Sequence, residues 1–231
     1  MEQNNLQMTE LIYYKLDFSA VPSEIGAVPQ ISGFNKINSN NSTFELEEFT
    51  CYKGKMYNSI PDLRNYKLDK KAKLTDLISC GLCPGGDFLV SEKLKNIIEL
   101  FKYSSSQFFP ASVETKKKEI YNYYLIHFNY LLEELIDFKQ TEYNYNIYPQ
   151  LKNNKFNSFQ EYQKFKKEVD KHGYLQATKL VLNSNFNTNL DFFVLSWINQ
   201  NVYISNKLKE IITTQKITGI ELSEQILFIS S

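Results

Sequence analysis

The stretch Phe88-Leu89-Val90-Ser91-Glu92-Lys93-Leu94-Lys95-Asn96-Ile97-Ile98 returns in altered form as Val202-Tyr203-Ile204-Ser205-Asn206-Lys207-Leu208-Lys209-Glu210-Ile211-Ile212, 114 positions later. Each copy reads as a short apolar strand, a serine placed to cap a helix, and a helix with one apolar stripe. Leu94, Ile97, Ile98 and Phe101 fall at i, i+3, i+4 and i+7. Six of thirteen aligned positions from Phe88 and Val202 are identical. Two origins fit: duplication into two related halves, or convergence of two capped helices on residues that suit such helices. Two separated copies do not make a solenoid, which needs at least three adjacent repeats.

The rest of the chain supplies strands and turns. Residues 11–18 are aromatic and β-branched enough for a first strand. Residues 21–43 hold Pro22, Gly26, Pro29 and Gly33 and predict a loop. Phe44–Phe49 predicts a second strand, Lys53-Gly54-Lys55 a turn, and Lys67–Lys73 a solvated basic stretch. Residues 121–138 carry two patterns. Tyr121, Tyr123 and Leu125 alternate, while Leu125, Phe128, Leu131, Leu132, Leu135 and Ile136 have helical spacing. A strand running into a helix or a second strand is expected. Ser158-Phe159-Gln160-Glu161 is a capping box, with Glu161 able to reach back to the Ser158 amide. Phe159, Tyr162, Phe165 and Val169 form the buried face of that helix, and Gly173 is expected to close it at positive φ. Further strands are expected at 174–182, 190–197, 201–204 and 217–222, with 226–229 a last strand or a docked end. The class is α+β: mixed and antiparallel sheets, a few short helices, and two strand-cap-helix units as candidate pseudo-repeats.

At 231 residues the chain has room for one large domain or two small ones. One compact body is expected, with an N-terminal β-rich part at 1–74 and an α+β region at 75–231. Lys+Arg and Asp+Glu both number 26. A zero net charge argues against wholesale nucleic-acid binding and gives no sign of an anionic membrane partner. The first residues lack a basic and an apolar signal region, and no apolar run approaches membrane-spanning length. Three cysteines do not make a disulfide framework. Cytoplasmic residence is the expectation.

No catalytic signature stands out. Cys80-x-x-Cys83 is followed by Pro84-Gly85-Gly86, so no helix can start where a redox thiol would need one. As half a zinc site it lacks two more ligands at suitable spacing, since only Cys51, His127 and His172 remain. Two bystander thiols in a turn fit better. His127 suits a hydrogen-bonded core position, and His172 a helix C-terminus. No phosphate-binding glycine loop and no nucleophile elbow are present. No cofactor and no metal are expected. Carboxylates gather at Glu45, Glu47 and Glu48 and again at Glu133, Glu134 and Asp137. They could serve as an acid pair for hydrolysis, as an acidic patch meeting a basic partner, or as a solvated face. The 16 tyrosines and 17 phenylalanines exceed what turns and caps need. Core filling takes most of them, and exposed tyrosines are favoured at protein interfaces.

Several segments together resemble the Imm-eleven-like family of bacterial immunity proteins. The first is Phe88-Leu89-Val90-Ser91-Glu92-Lys93-Leu94-Lys95 with Phe108-Phe109-Pro110 after it. The second is Tyr123-Tyr124-Leu125-Ile126 with Ile136-Asp137-Phe138-Lys139 downstream. The third is Asp191-Phe192-Phe193, then Val202–Leu208, then Ile217-Thr218-Gly219-Ile220-Glu221. The pieces run in the family's order over roughly residues 75–222, with Leu222 standing where an aromatic is usual. The resemblance implies a cytoplasmic protein, encoded beside a polymorphic toxin, that neutralises the toxin by tight binding. It implies no cofactor and no catalytic set. A small hydrolase or a subunit of a larger defence assembly is the alternative.

Overall fold

Ser91 and Ser205 start the two matched helices in the same way. Each has extended backbone, and each hydroxyl accepts the amide three residues on, from Leu94 at 3.2 Å and from Leu208 at 3.3 Å. An otherwise orphaned first-turn amide is thereby satisfied at both helices. The computed structural model describes residues 8–34, 63–79, 88–104, 106–128, 133–147, 150–169, 173–195 and 201–230. Along the chain come β1 (Met8–Phe18), α1 (Pro22–Ile25), β2 (Ile31–Phe34), β3 (Leu63–Leu68), β4 (Leu77–Ile78), β5 (Phe88–Ser91) and α2 (Glu92–Glu99). There follow β6 (Ser106–Glu114), β7 (Ile120–Phe128), a short 3-10 turn (Glu133–Leu135), β8 (Glu142–Ile147), β9 (Gln150–Asn154) and α3 (Phe159–Val169). Then come β10 (Gly173–Lys179), β11 (Val181–Leu182), β12 (Phe192–Val194), β13 (Val202–Ile204), α4 (Asn206–Thr214) and β14 (Ile220–Ser230). This is an α+β fold.

The strands form three sheets, ordered β2-β3-β6-β7-β5-β4, β11-β14-β1-β13-β12 and β10-β8-β9. The first two share a plan. In β3-β6-β7-β5-β4 and in β11-β14-β1-β13-β12 the first pair is parallel and every other pair antiparallel. One unit is built in the order β3, β4, β5, α2, β6, β7. The other runs β11, β12, β13, α4, β14 and takes its last strand, β1, from the far end of the chain. Side chains follow the same correspondence. Tyr123-Tyr124 on β7 matches Tyr13-Tyr14 on β1. Lys95 of α2 lies over the Tyr124 ring at 5.0 Å, and Lys209 of α4 over the Tyr14 ring at 3.8 Å. Convergence of two capped helices would not bring a matched strand order with it, so the two units are pseudo-repeats.

The helices of both units pack on each other and on the facing sheets. Leu94, Ile97 and Ile98 of α2 and Leu208 and Ile212 of α4 join Leu77, Phe88, Val90 and Ile126 from one sheet and Leu16, Phe192, Val202 and Ile204 from the other. Each such aliphatic side chain contributes about 1.5–3 kcal/mol by leaving water. A second core on the opposite face of the β1 sheet joins Tyr13, Phe193, Tyr203 and Leu227 to Tyr143 of the three-stranded sheet, Tyr162 of α3 and Phe156 of the segment between them. A third lies on the outer face of the β7 sheet, around Leu89, Phe109, Val113 and Leu125. His127 is fully buried there, its ring tilted against that of Phe109 with centroids 6.0 Å apart.

Several local expectations shift. Within the region expected to be loop, residues 22–25 form α1 and 31–34 form β2, because Lys73 N and Asp69 N reach back to Ile25 O and Gln30 O and give this stretch a partner. Glu161 does not return to the Ser158 amide: its carboxylate accepts the Asn157 amide at 2.8 Å, one residue earlier, while Ser158 Oγ still accepts the Glu161 amide. Gly173 opens β10, opposite Ile147, rather than closing α3. The two expected C-terminal strands are one continuous strand, since all eleven residues of β1 pair along β14. After β7 the structure shows the 3-10 turn, and of the residues with helical spacing at 125–136, Leu125, Phe128 and Ile136 are buried in three separate cores. The expected strand at 44–49 and the Cys80–Gly86 turn lie outside the described residues.

Candidate functional site

Two aspartates tie the two repeated units together. Asp76 precedes β4 and Asp191 precedes β12. Ser91 Oγ donates to Asp76 Oδ1 at 2.7 Å, and Ser205 Oγ donates to Asp191 Oδ1 at 2.7 Å. A serine hydroxyl has one proton and spare lone pairs, so it can cap its helix and donate to the carboxylate together. The other carboxylate oxygen crosses to the opposite unit. Asp76 Oδ2 accepts Thr218 N at 2.9 Å and Thr218 Oγ1 at 3.0 Å, from the segment leaving α4. Asp191 Oδ2 accepts Lys102 N at 3.2 Å, from the segment leaving α2. Each aspartate therefore ties its own helix cap to the exit of the other unit's helix.

A buried phenol stands beside each clasp. Tyr13 donates to Thr188 O at 3.1 Å and Tyr123 to Thr75 O at 2.8 Å. Burial, and then the Asp191 charge, push Tyr13 up to about 12. Burial, and then Asp76, also push Tyr123 up. Low polarity and a nearby anion both disfavour the phenolate. These groups are kept neutral and structural.

The carboxylates singled out by sequence fall in different settings. Glu45, Glu47 and Glu48 lie outside the described residues. Glu133 and Glu134 sit on the 3-10 turn, Glu133 half-buried and Glu134 exposed. The turn is clamped to the β1 sheet: Asn183 N donates to Leu135 O at 2.9 Å, the Asn183 side-chain amide donates to Glu134 O, and Ile136 bridges to Leu182. Among the described residues neither glutamate pairs with a cation. Asp137 is occupied differently. Its carboxylate accepts the Lys139 and Gln140 amides and the Gln140 side chain at 2.8–3.2 Å, so it shapes the turn into β8. Glu133 and Glu134 are thus neighbours on a clamped turn, while the Asp137 carboxylate is spent on the turn that follows.

An open cleft of about 470 Å³ lies beside the Asp191 clasp, lined by Glu10, Tyr13, Lys102, Asp191, Ser205 and Lys207 among others. Its two acids are Glu10 and Asp191, and the Asp191 carboxylate is already engaged by Ser205 and Lys102. Among the described residues no three His, Cys, Asp or Glu side chains converge as a metal ion would require, and Cys80 and Cys83 are outside those residues. No helix of the described residues is long and apolar enough to cross a membrane.

The aspartate clasps went unread in the sequence. The signal was present: an aspartate stands fifteen residues before the first capping serine and fourteen before the second. A one-residue gap between the repeats hides it from an ungapped alignment.

No curated protein matches the chain. A family model described as the immunity protein family (Imm11) matches residues 29–226. That span takes in both clasps, both capped helices and the acidic turn, and it starts well ahead of residue 75. The chain belongs to the immunity protein family (Imm11).

Proposed function

We propose that this protein neutralises a cognate toxin domain, encoded beside it, by binding the toxin and covering its working surface, with no chemistry of its own. The family match over residues 29–226 carries this reading. An inhibitor of this kind must act at trace concentration, so nanomolar or tighter affinity, about −12 kcal/mol, is expected. Rigid presentation supports such affinity, because side chains that are already ordered lose little freedom on binding. The 3-10 turn meets that need. Glu133 and Glu134 stand on backbone that Asn183 and Ile136 hold in place, and they offer negative charge to a basic partner face. Glu45, Glu47 and Glu48 belong to the same proposal. Residence in the cytoplasm, where the toxin would act, is part of it.

Co-expression with the toxin domain of the neighbouring gene, followed by co-purification and calorimetry, tests the function. A stable one-to-one complex that silences the toxin is the expected result. Purified chain that leaves the toxin active at equimolar ratio would remove the proposal. The placement is tested separately by Glu133→Lys with Glu134→Lys. Affinity should fall by about tenfold or more, and an unchanged affinity moves the interface elsewhere.

A further inference from the structure

The β6–β7 hairpin ends in Thr115-Lys116-Lys117-Lys118-Glu119. Backbone bonds from Thr115 N to Glu119 O and from Lys118 N to Thr115 O, both 2.9 Å, close it. The three lysines are exposed, and so are the next two side chains, Ile120 at 63% and Tyr121 at 42%. β3 runs parallel to β6 with Lys67 opposite Glu114, so the segment 67–73 leaves its strand at this same end of the sheet. Segments 67–73 and 114–119 together hold seven lysines against three carboxylates, in a chain whose total charge is zero. The equivalent strands β14 and β1 of the other repeat are not joined by a turn, so the repeated frame does not itself call for this hairpin.

We propose that the lysine-tipped hairpin is an interaction surface for a protein whose facing surface is acidic and has an apolar recess for Ile120. Charge complementarity names the partner's sign. The apolar side chain names its class. A phosphate backbone offers no cover for Ile120, and Glu114 and Glu119, set among the lysines, would repel phosphates. An acidic protein face accommodates all of these, since Lys118 already neutralises Glu114 at 2.6 Å and leaves Lys116 and Lys117 to the partner. The inference rests on the toxin-binding reading: the acidic face is one belonging to the toxin domain.

The test uses the full chain, the double variant Lys116→Glu with Lys117→Glu, and Ile120→Ser. All three changes are at exposed hairpin positions, and matching thermal melts establish that the variants are folded. Lys116→Gln with Lys117→Gln serves as a milder pair if the reversal fails that check. Three probes are titrated: the neighbouring gene's toxin domain, a random glutamate–tyrosine copolymer, and a short DNA duplex. The wild-type chain should bind the toxin domain and the copolymer, both variants should bind each at least about tenfold more weakly, and added salt should weaken the wild type more than the charge reversal. Toxin binding that the variants leave unchanged overturns the hairpin proposal and leaves the immunity reading standing. Copolymer binding that depends on the hairpin, without toxin binding, supports the acidic-surface assignment and removes the toxin as its owner. Equal or tighter binding of the duplex overturns the protein assignment.

Discussion

Lys209 Nζ lies 3.8 Å from the centroid of the Tyr14 ring, joining α4 near the end of the chain to β1 at its start. The cation sits over the negative face of the ring, an arrangement worth about 0.5–2 kcal/mol depending on solvation. Lys209→Met keeps the apolar stem and removes the charge. It should cost about 1 kcal/mol in urea unfolding, and a double-mutant cycle with Tyr14→Leu should return a coupling of similar size. A coupling near zero would show that the lysine is merely parked there. Lys95 is a weaker probe of the same relation, because it also pairs with Glu99 at 2.6 Å.

Asp76→Ala and Asp191→Ala each strip a helix-capping serine of its acceptor and free a backbone amide from the other unit. Loss of such partly buried, charged acceptors should lower stability by about 1–3 kcal/mol each. Asp76→Ala is expected to be the more damaging, since Asp76 accepts from Ser91 and twice from Thr218. Because Asp76 and Ser91 form one network, Asp76→Ala with Ser91→Ala should cost less than the two single changes added together. Urea midpoints at unchanged m-value are the measurement.

Gly219 has φ +79°, and a Cβ there would stand 2.1 Å from Leu77 O, a backbone atom that cannot swing aside. Gly219→Ala should cost more than about 2 kcal/mol, combining left-handed strain with displacement of the strand that directly follows Asp76. Gly33 is the control. A Cβ there would meet nothing within 4 Å, and Gly33→Ala should stay within about 0.5 kcal/mol of wild type. Thermal melts of the two variants side by side decide the point, and similar losses would contradict it.

Alkaline pH should unfold the protein through its buried phenols. Burial raises Tyr13 from 10.0 to about 12 and raises Tyr123 and Tyr143 as well. Unfolded phenols release protons near pH 10 while the folded ones hold theirs, so above that pH the unfolded state binds fewer protons. The stability these groups contribute is complete below pH 10, declines as pH rises, and for Tyr13 is gone once pH passes about 12. Denaturation midpoints on either side of pH 10, together with the tyrosinate absorbance band, report it. A tyrosinate titration of the folded protein that is complete near pH 10 would be inconsistent with these buried sites.

Much of the fold was legible because its signals are short. Ser91 and Ser205 announce their helices within four residues, and the stripes of Leu94, Ile97 and Ile98 and of Leu208 and Ile212 repeat with the helical period. Ser158 did the same for α3. The duplication was visible as one matched segment, yet its extent was hidden. Tyr13-Tyr14 and Tyr123-Tyr124 are counterparts, but Tyr13 lies ahead of the rest of its unit in the chain instead of behind it. Of the candidate interface, Glu133 and Glu134 could be named as an acidic pair. That they stand on a clamped turn, Glu134 exposed and Glu133 half-buried, while Asp137 is consumed by backbone amides depends on Asn183 and Val181, some forty residues away or more.

Residue types in local order were enough to define two capped amphipathic helices, an α+β class and a family resemblance. Which strand completes which sheet was settled elsewhere, by the main-chain hydrogen bonds of strands about two hundred positions apart, in a register that sets Leu16 opposite Leu222 and Tyr14 opposite Ile204. Those bonds use peptide groups common to every residue, so they leave little trace in side-chain identity. Two aspartates spaced unequally from their serines became equivalent, and lysines at 67–73 and 116–118 came to share one end of a sheet, only after register and packing had been chosen.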